Sequence, residues 1–282
     1  MTNTPTNDAL REWHDNATHW VNYSETIRTM FAPVTRALIE EADIRPGQSV
    51  IDVAAGAGEP TLTIAQHVGA SGSVMCTDPV AEMLAAARVK AECLGMKNVN
   101  FRQCEAQSLP FLDHTYDATV SRLGIMFVPD PNAALKEMLR VTKPGGAVSL
   151  VVWHKSELNP FCYLITNVMS RHVPSPPADP DAPSAFRFAE PGKLARALTA
   201  AGAVDVRELM LDFQIEAPVS LSEFWEIRAS TSGTLREKLA TLSRSEAEQI
   251  ASEAKEAVSP FFPNNQMSFP AKMIIVTGKA QS

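Results

Sequence analysis

Ser49-Val50-Ile51-Asp52-Val53-Ala54-Ala55-Gly56-Ala57-Gly58-Glu59-Pro60-Thr61-Leu62 opens as a strand, breaks into a turn of small residues and resumes as a helix through Thr63, Ile64, Ala65 and Val68. A strand, a glycine turn and a helix N-terminus form a cradle for a nucleotide-like ligand, because backbone N–H groups converge there. A phosphate-binding loop would need GxxxxGK[ST], which the chain lacks. A dinucleotide fingerprint would need a third glycine where Thr61 stands. Asp52 and Glu59 also put carboxylates where a pyrophosphate would lie, an unfavourable pairing in a partly dry site.

Working outward, the same alternation repeats. Val74–Asp78 reads as a second strand and Pro79 suits the first turn of the helix Ala81–Leu94, which stops at Gly95. Val99–Gln103 and Asp117–Ser121 read as strands three and four. Pro131–Val141 is a helix ended by Lys143-Pro144-Gly145-Gly146, and the apolar run Ala147–Trp153 suits a strand buried on both faces. Strands alternating with helices predict a parallel sheet covered on both sides, with ligands at the C-terminal strand edge. Upstream, residues 1 to about 8 are polar and read as disordered, and Ala9–Ala42 is helical with an interruption at Pro33. Downstream lie a helix over Ser156–Met169, a proline-rich loop over His172–Pro183, a helix over Glu190–Ala200 and a strand over Val204–Ile215. A long helical region, Leu221–Ala257, breaks at Thr231-Ser232-Gly233, and Lys272–Gly278 is a final strand.

The bulk numbers bound the function. The 282 residues are 45% hydrophobic, enough for a sizeable core. A net charge of −7 argues against a general affinity for nucleic acid or anionic lipid. The four cysteines form no CxxC pair, which fits reduced thiols in the cytoplasm. The N-terminus lacks a basic-then-apolar signal, and no apolar run approaches the ~20 residues of a membrane span. A homodimer is left open.

A cationic ligand without phosphate suits the acidic turn, and S-adenosylmethionine is one: its methionine end carries an ammonium beside a sulfonium. Asp78, 26 residues after Asp52, ends the second strand, where a carboxylate accepts hydrogen bonds from ribose hydroxyls. The run Asp52-Val53-Ala54-Ala55-Gly56-Ala57-Gly58 resembles the DxxxGxG signature of class I S-adenosylmethionine-dependent methyltransferases. The resemblance continues through Thr77-Asp78-Pro79-Val80-Ala81-Glu82-Met83-Leu84, Glu105–Phe111, Tyr116-Asp117-Ala118 and Arg140–Gly146. Together these are similar to the ubiquinone/menaquinone-biosynthesis C-methyltransferase group over roughly residues 45–153, with a weaker echo from Phe188 to Gly202.

The resemblance implies a Rossmann-like, doubly wound α/β sheet of seven strands, the last one antiparallel, under a helical cap. It divides the chain into an N-terminal helical lid (1–45), a cofactor-binding core (46–155) and a C-terminal part of the sheet (156–282) that carries cap helices (216–262). It also implies site roles. Asp52, Ala54, Gly56 and Gly58 would meet the methionine portion, and Asp78 the ribose. Pro79 and Met83 would lie beside the adenine, with Glu105 and Ala106 on its amino group and ring nitrogen. Glu105 stands where the family usually has Asp. Ser121 and Arg122 would line the site near the sulfonium, and Tyr23 would reach the cofactor or the acceptor.

Methyl transfer is an in-line displacement that leaves neutral S-adenosylhomocysteine, so alignment and exclusion of water carry most of the catalysis. His154, just past the fifth strand, is the candidate base where an acceptor must lose a proton. No metal is expected, because the cysteines and histidines are scattered. The apolar residues of the cap, such as Phe161, Tyr163, Met169, Phe224 and Trp225, suit a small apolar or aromatic acceptor methylated on carbon, oxygen or nitrogen. A non-catalytic S-adenosylmethionine sensor is the alternative, and an NAD-dependent oxidoreductase is disfavoured by Thr61 and the acidic loop.

Overall fold

The computed structural model describes residues 5–174 and 179–281. The polar start (1–4) and the centre of the proline-rich loop (175–178) lie outside the described residues. One seven-stranded sheet forms the frame, in the order β3-β2-β1-β4-β5-β7-β6. Its strands are β1 (Ser49–Val53), β2 (Ser73–Asp78), β3 (Val99–Gln103), β4 (Tyr116–Arg122), β5 (Thr142–Trp153), β6 (Val204–Ala217) and β7 (Met267–Lys279). The first five pair in parallel, and β7 lies antiparallel between β5 and β6. The chain therefore has the expected doubly wound sheet with an inserted antiparallel last strand. Val148, Leu150 and Val152 of central β5 are fully buried, as a strand covered on both faces requires.

Several boundaries move. The final strand starts at Met267, five residues earlier than expected, and β6 runs on to Ala217. The pairing of these two strands continues past the end of β5 as a two-stranded ribbon, with Ala217 opposite Met267. Phe269 explains the extension: it is fully buried, its ring 4.7 Å from Phe261, 5.1 Å from Phe224 and 5.7 Å from Phe161. Strand β5 begins at Thr142, so the Lys-Pro-Gly-Gly turn lies inside the strand, at a register shift against β4.

The N-terminal run is three helices, α1 (Pro5–Asn22), α2 (Ser24–Met30) and α3 (Ala32–Glu41). Helix α1 starts at Pro5, within the polar stretch of residues 1 to about 8 read as disordered, and Pro33 opens α3 rather than interrupting a helix, because a first-turn proline has no N–H to lose. Helices α4 (Thr61–Val68), α5 (Ala81–Cys93) and α6 (Pro131–Val141) follow the first, second and fourth strands. Helix α7 (Pro160–His172) follows β5, and α8 (Lys193–Ala200) precedes β6.

The cap lies between β6 and β7 as α9 (Leu221–Thr231), α10 (Gly233–Ala240) and α11 (Arg244–Val258). The break at 231–233 is as expected. The second, before Arg244, carries a readable signal: Ser243 and Glu246 form a capping box, each satisfying an N–H that a helix start leaves open. Among the described residues, no helix is long and apolar enough to cross a membrane.

Candidate functional site

The turn after β1 is held by the end of β2. Ala55 N donates to Thr77 O at 2.9 Å, and Gly56 N donates to Asp78 Oδ2 at 2.9 Å. The other oxygen of Asp78 accepts from Val80 N at 2.9 Å and so starts the chain toward α5. Asp78 is thus a clamp between two backbone segments. Burial raises its carboxyl to about 6, and the two backbone donors moderate the rise. Ala54, Gly56 and Gly58 all have positive φ, at 58°, 56° and 103°. A Cβ on Gly58 would lie 3.0 Å from Ala87 Cβ, so this glycine lets the turn sit directly against α5. A Cβ on Gly56 would meet nothing within 4 Å: the space beside it is open.

Asp52 lies fully buried below the turn. Thr61 Oγ1 donates to its Oδ2 at 2.6 Å, while Oδ1 has no hydrogen-bond partner among the described residues. Burial is the main cause that raises its carboxyl to about 7; Thr61 and Arg122 oppose the rise and Glu59 adds to it. A buried carboxylate oxygen without a partner is unusual, because such groups are expensive to desolvate. Thr61, where a dinucleotide turn needs glycine, is what holds this carboxylate in place.

Arg122 leaves the end of β4 and turns behind the site. It donates to Thr35 Oγ1 at 2.8 Å and to Glu59 O at 3.1 Å, which ties α3 to the glycine turn. Its charge faces Glu59 and Asp52. Ser121, beside it, is buried and its Oγ has no partner among the described residues. Gly124 follows, a residue the sequence reading did not single out. A Cβ there would lie 2.6 Å from Ala54 Cβ and 3.0 Å from Ser121 Oγ, so only glycine lets this loop back onto the turn. The glycine two residues past a sheet-edge Arg was the available signal.

Helix α1 closes over these groups. Ala17 packs with Met83 and Val80, and Trp13, Trp20 and Ala57 of the turn border the same cluster. Trp13 also meets Phe127 edge-on at 5.0 Å. Trp20 Nε1 donates to Thr231 O at 3.1 Å, so α1 is fastened to the cap helix α9. Met83 lies under α1, Pro79 beside it is half-buried, and Tyr23 stands half-buried at the junction of α1 and α2. Ala106 is buried and Glu105 is exposed, both past β3. His14 lies on the surface in contact with Glu82 at 3.1 Å.

His154 is not brought to the turn. Trp153 packs on Phe31 and Phe161, so the next residue leaves the opposite face of the strand. There burial lowers its imidazole pKa, helped by the charges of Lys272 and Lys155, while Glu190 and Glu208 act against the shift. Its Nδ1 accepts from Lys155 N at 2.6 Å. The strand end is pinned by fully buried Asn159, which donates to His154 O and accepts from Lys272 N. Other motif residues also prove structural. Arg140 donates to the carbonyls of Leu109 and Phe111, and Asp117 accepts from Ser49 N and Lys143.

A strand-end acid with an open oxygen, a glycine turn with free space beside it and a second clamped acid suit a cationic nucleoside. Comparison with known proteins shows what this segment is similar to. Residues 34–171 match the ubiE/COQ5 methyltransferase family. The chain is 37% identical over 130 residues to the ubiquinone/menaquinone biosynthesis C-methyltransferase UbiE of Haemophilus ducreyi, covering 46% of this chain and 50% of that one. It is 41% identical over 106 residues to a demethylmenaquinone methyltransferase of Bacillus cytotoxicus, covering 38% and 45%. The chain spans about half the length of the curated relatives it matches. In fold, the chain is similar to the YcgJ protein of Bacillus subtilis, with a TM-score of 0.58 at 21% identity over 89% of this chain and 99% of that one.

Proposed function

We propose that the chain is an S-adenosylmethionine-dependent methyltransferase acting on a small, apolar or aromatic acceptor. The observation that carries this reading is the buried, unpartnered Oδ1 of Asp52 facing a turn whose Gly56 borders open space. A carboxylate so placed fits an ammonium. S-adenosylmethionine bound there supplies an electrophilic methyl on a sulfonium.

The chain's own residues would do the rest. Asp52 accepts from the ammonium, and Ala54, Gly56 and Gly58 leave room for the methionine chain. Each oxygen of Asp78 already accepts one backbone N–H and keeps a lone pair for a ribose hydroxyl. Pro79, Met83, Glu105 and Ala106 border the adenine. Ser121 and Arg122 face the sulfonium end, where Arg122 offsets the two turn carboxylates. Tyr23 and helix α1, with Trp13 and Trp20, exclude water as a lid over the core, and the cap helices complete the acceptor chamber. The free cysteines support a reducing, cytoplasmic setting.

Incubation with S-adenosylmethionine and a panel of phenols, quinones and amines, read by mass spectrometry for a gain of one methyl, tests the reading. Cofactor binding without transfer to any acceptor would leave a sensor role instead. Asp78→Ala is expected to weaken cofactor binding roughly ten- to hundredfold, from lost charge-assisted hydrogen bonds of ~1.5–3 kcal/mol. Unchanged affinity by calorimetry would refute the ribose role. His154→Ala is expected to leave the transfer rate within about twofold across pH, because its ring lies on the far face of the sheet from Phe31 and Phe161. A loss of ~100-fold, the scale of general-base catalysis, would restore it as the base.

A further inference from the structure

Trp153, Phe31 and Phe161 form a triangular aromatic cluster at the C-terminal edge of the sheet, with all three ring centroids 5.8 to 6.4 Å apart. Two arginines flank it. Arg122 lies with its Cζ 5.9 Å from the Phe31 ring centre, and Arg228 of α9 with its Cζ 4.9 Å from that of Phe161. Their surroundings differ. Arg122 faces Glu59 and Asp52 and donates two hydrogen bonds. Arg228 has no carboxylate partner and donates no hydrogen bond among the described residues. Its Nε–H is sealed from solvent without an acceptor, although the side chain as a whole is only half-buried.

The ionisable group acting on Arg228 is the Cys162 thiol, which burial pushes up to about 11 and thus keeps neutral. A guanidinium does not shed its proton at ordinary pH, so this is a standing positive charge inside the cap. Charges of this kind are normally paired. The guanidinium lies over the Phe161 ring and its N–H fork donates to no acceptor among the described residues, which leaves it for a carboxylate with two parallel hydrogen bonds.

Resting on the methyltransferase reading, we propose that Arg228 is a specificity-determining residue that binds a carboxylate on the methyl acceptor. The acceptor's apolar body extends from Arg228 toward the glycine turn, which Arg122 ties to α3. A single guanidinium, with no second cation acting beside it, matches a monoanion better than a phosphate dianion.

The test uses the full chain with S-adenosylhomocysteine and matched probes: 4-hydroxybenzoate and indole-3-acetate, their carboxamides, and 4-hydroxyphenyl phosphate. Calorimetry is expected to show each acid binding at least about tenfold tighter than its amide. That preference should fall below about threefold in Arg228→Gln and return in part in Arg228→Lys, with S-adenosylhomocysteine affinity unchanged. Equal binding of acid and amide, no binding of either acid, tighter binding of the phosphate, or a preference that survives Arg228→Gln overturns the proposal. A ligand-free measurement runs beside it. Arg228→Met should melt at or above the parent temperature, and a drop of more than about 5 °C would make the arginine structural and overturn the proposal. If the parent chain fails to bind S-adenosylhomocysteine, the methyltransferase reading itself fails; if it binds and the acid preference is missing, only this inference does.

Discussion

Asp52→Asn is expected to bind S-adenosylmethionine about 100-fold more weakly, a loss of ~3 kcal/mol, yet to melt at a higher temperature than the parent chain at pH 8. Both effects come from one buried oxygen. The Asp52 carboxyl is held at about 7 in the folded chain against 3.8 in the reference state, chiefly by burial. An acid whose folded pKa is raised binds its proton more tightly when folded. Its contribution to stability is therefore lost as pH rises between about 4 and 7, and it stays lost above that. Asparagine removes the charge while its side-chain oxygen still accepts from Thr61, so the penalty disappears.

The ligand reverses the sign. An ammonium at Oδ1 favours the ionised carboxyl, so binding releases a proton below about pH 7. Cofactor affinity should then rise toward tenfold per pH unit between about 5 and 7 and flatten above it. Asp78, raised to about 6 by its own burial, adds to the slope at its lower end. Titration calorimetry at four pH values and scanning calorimetry of the two chains check all of this. An Asp52→Asn chain that melts lower and binds as tightly as the parent would remove Asp52 from the site.

Gly58→Ala should be the most damaging methyl addition in the turn. Its φ of 103° lies outside the conformations an alanine adopts readily, and the new Cβ would press on Ala87 Cβ at 3.0 Å and Ala87 Cα at 3.3 Å. Backbone strain of ~1–3 kcal/mol and overpacking of ~1–3 kcal/mol add to ~2–6 kcal/mol. For a chain of this size, that lowers the melting temperature by roughly 5–20 °C. Gly56→Ala is the matched control. Its φ of 56° is an ordinary left-handed value and its Cβ would point into open space, so stability should fall less and cofactor binding should suffer more. Equal melting temperatures for the two variants would contradict the close approach of α5 to the turn.

Much of this molecule is local in its logic and therefore readable from its residues. A strand ending in Asp52, positive-φ glycines and a helix resuming at Thr61 follow from short-range rules of pattern and backbone freedom, and Asp78 follows from the next repeat of the same unit. The ends of elements were less legible where distant packing set them. Phe269 extends the last hairpin because the rings of Phe161, Phe224, Phe261 and Phe262 surround it, and Lys143-Pro144-Gly145-Gly146 joins a strand because β4 lies beside it.

The chain order by itself carries the argument for a cationic ligand at the turn, since the sign of Asp52 and Glu59 and the missing third glycine are written in one short run of residues. Only the tertiary structure decided what each strand-edge side chain faces. His154 turns away from the aromatic cluster because strand alternation is fixed by Trp153 packing inward. Arg122 reaches Thr35 across 87 residues, and Trp20 reaches Thr231 across 211. Gly124 matters only because Ala54 happens to lie against it. Such contacts join residues far apart in the chain, and no local periodicity encodes them.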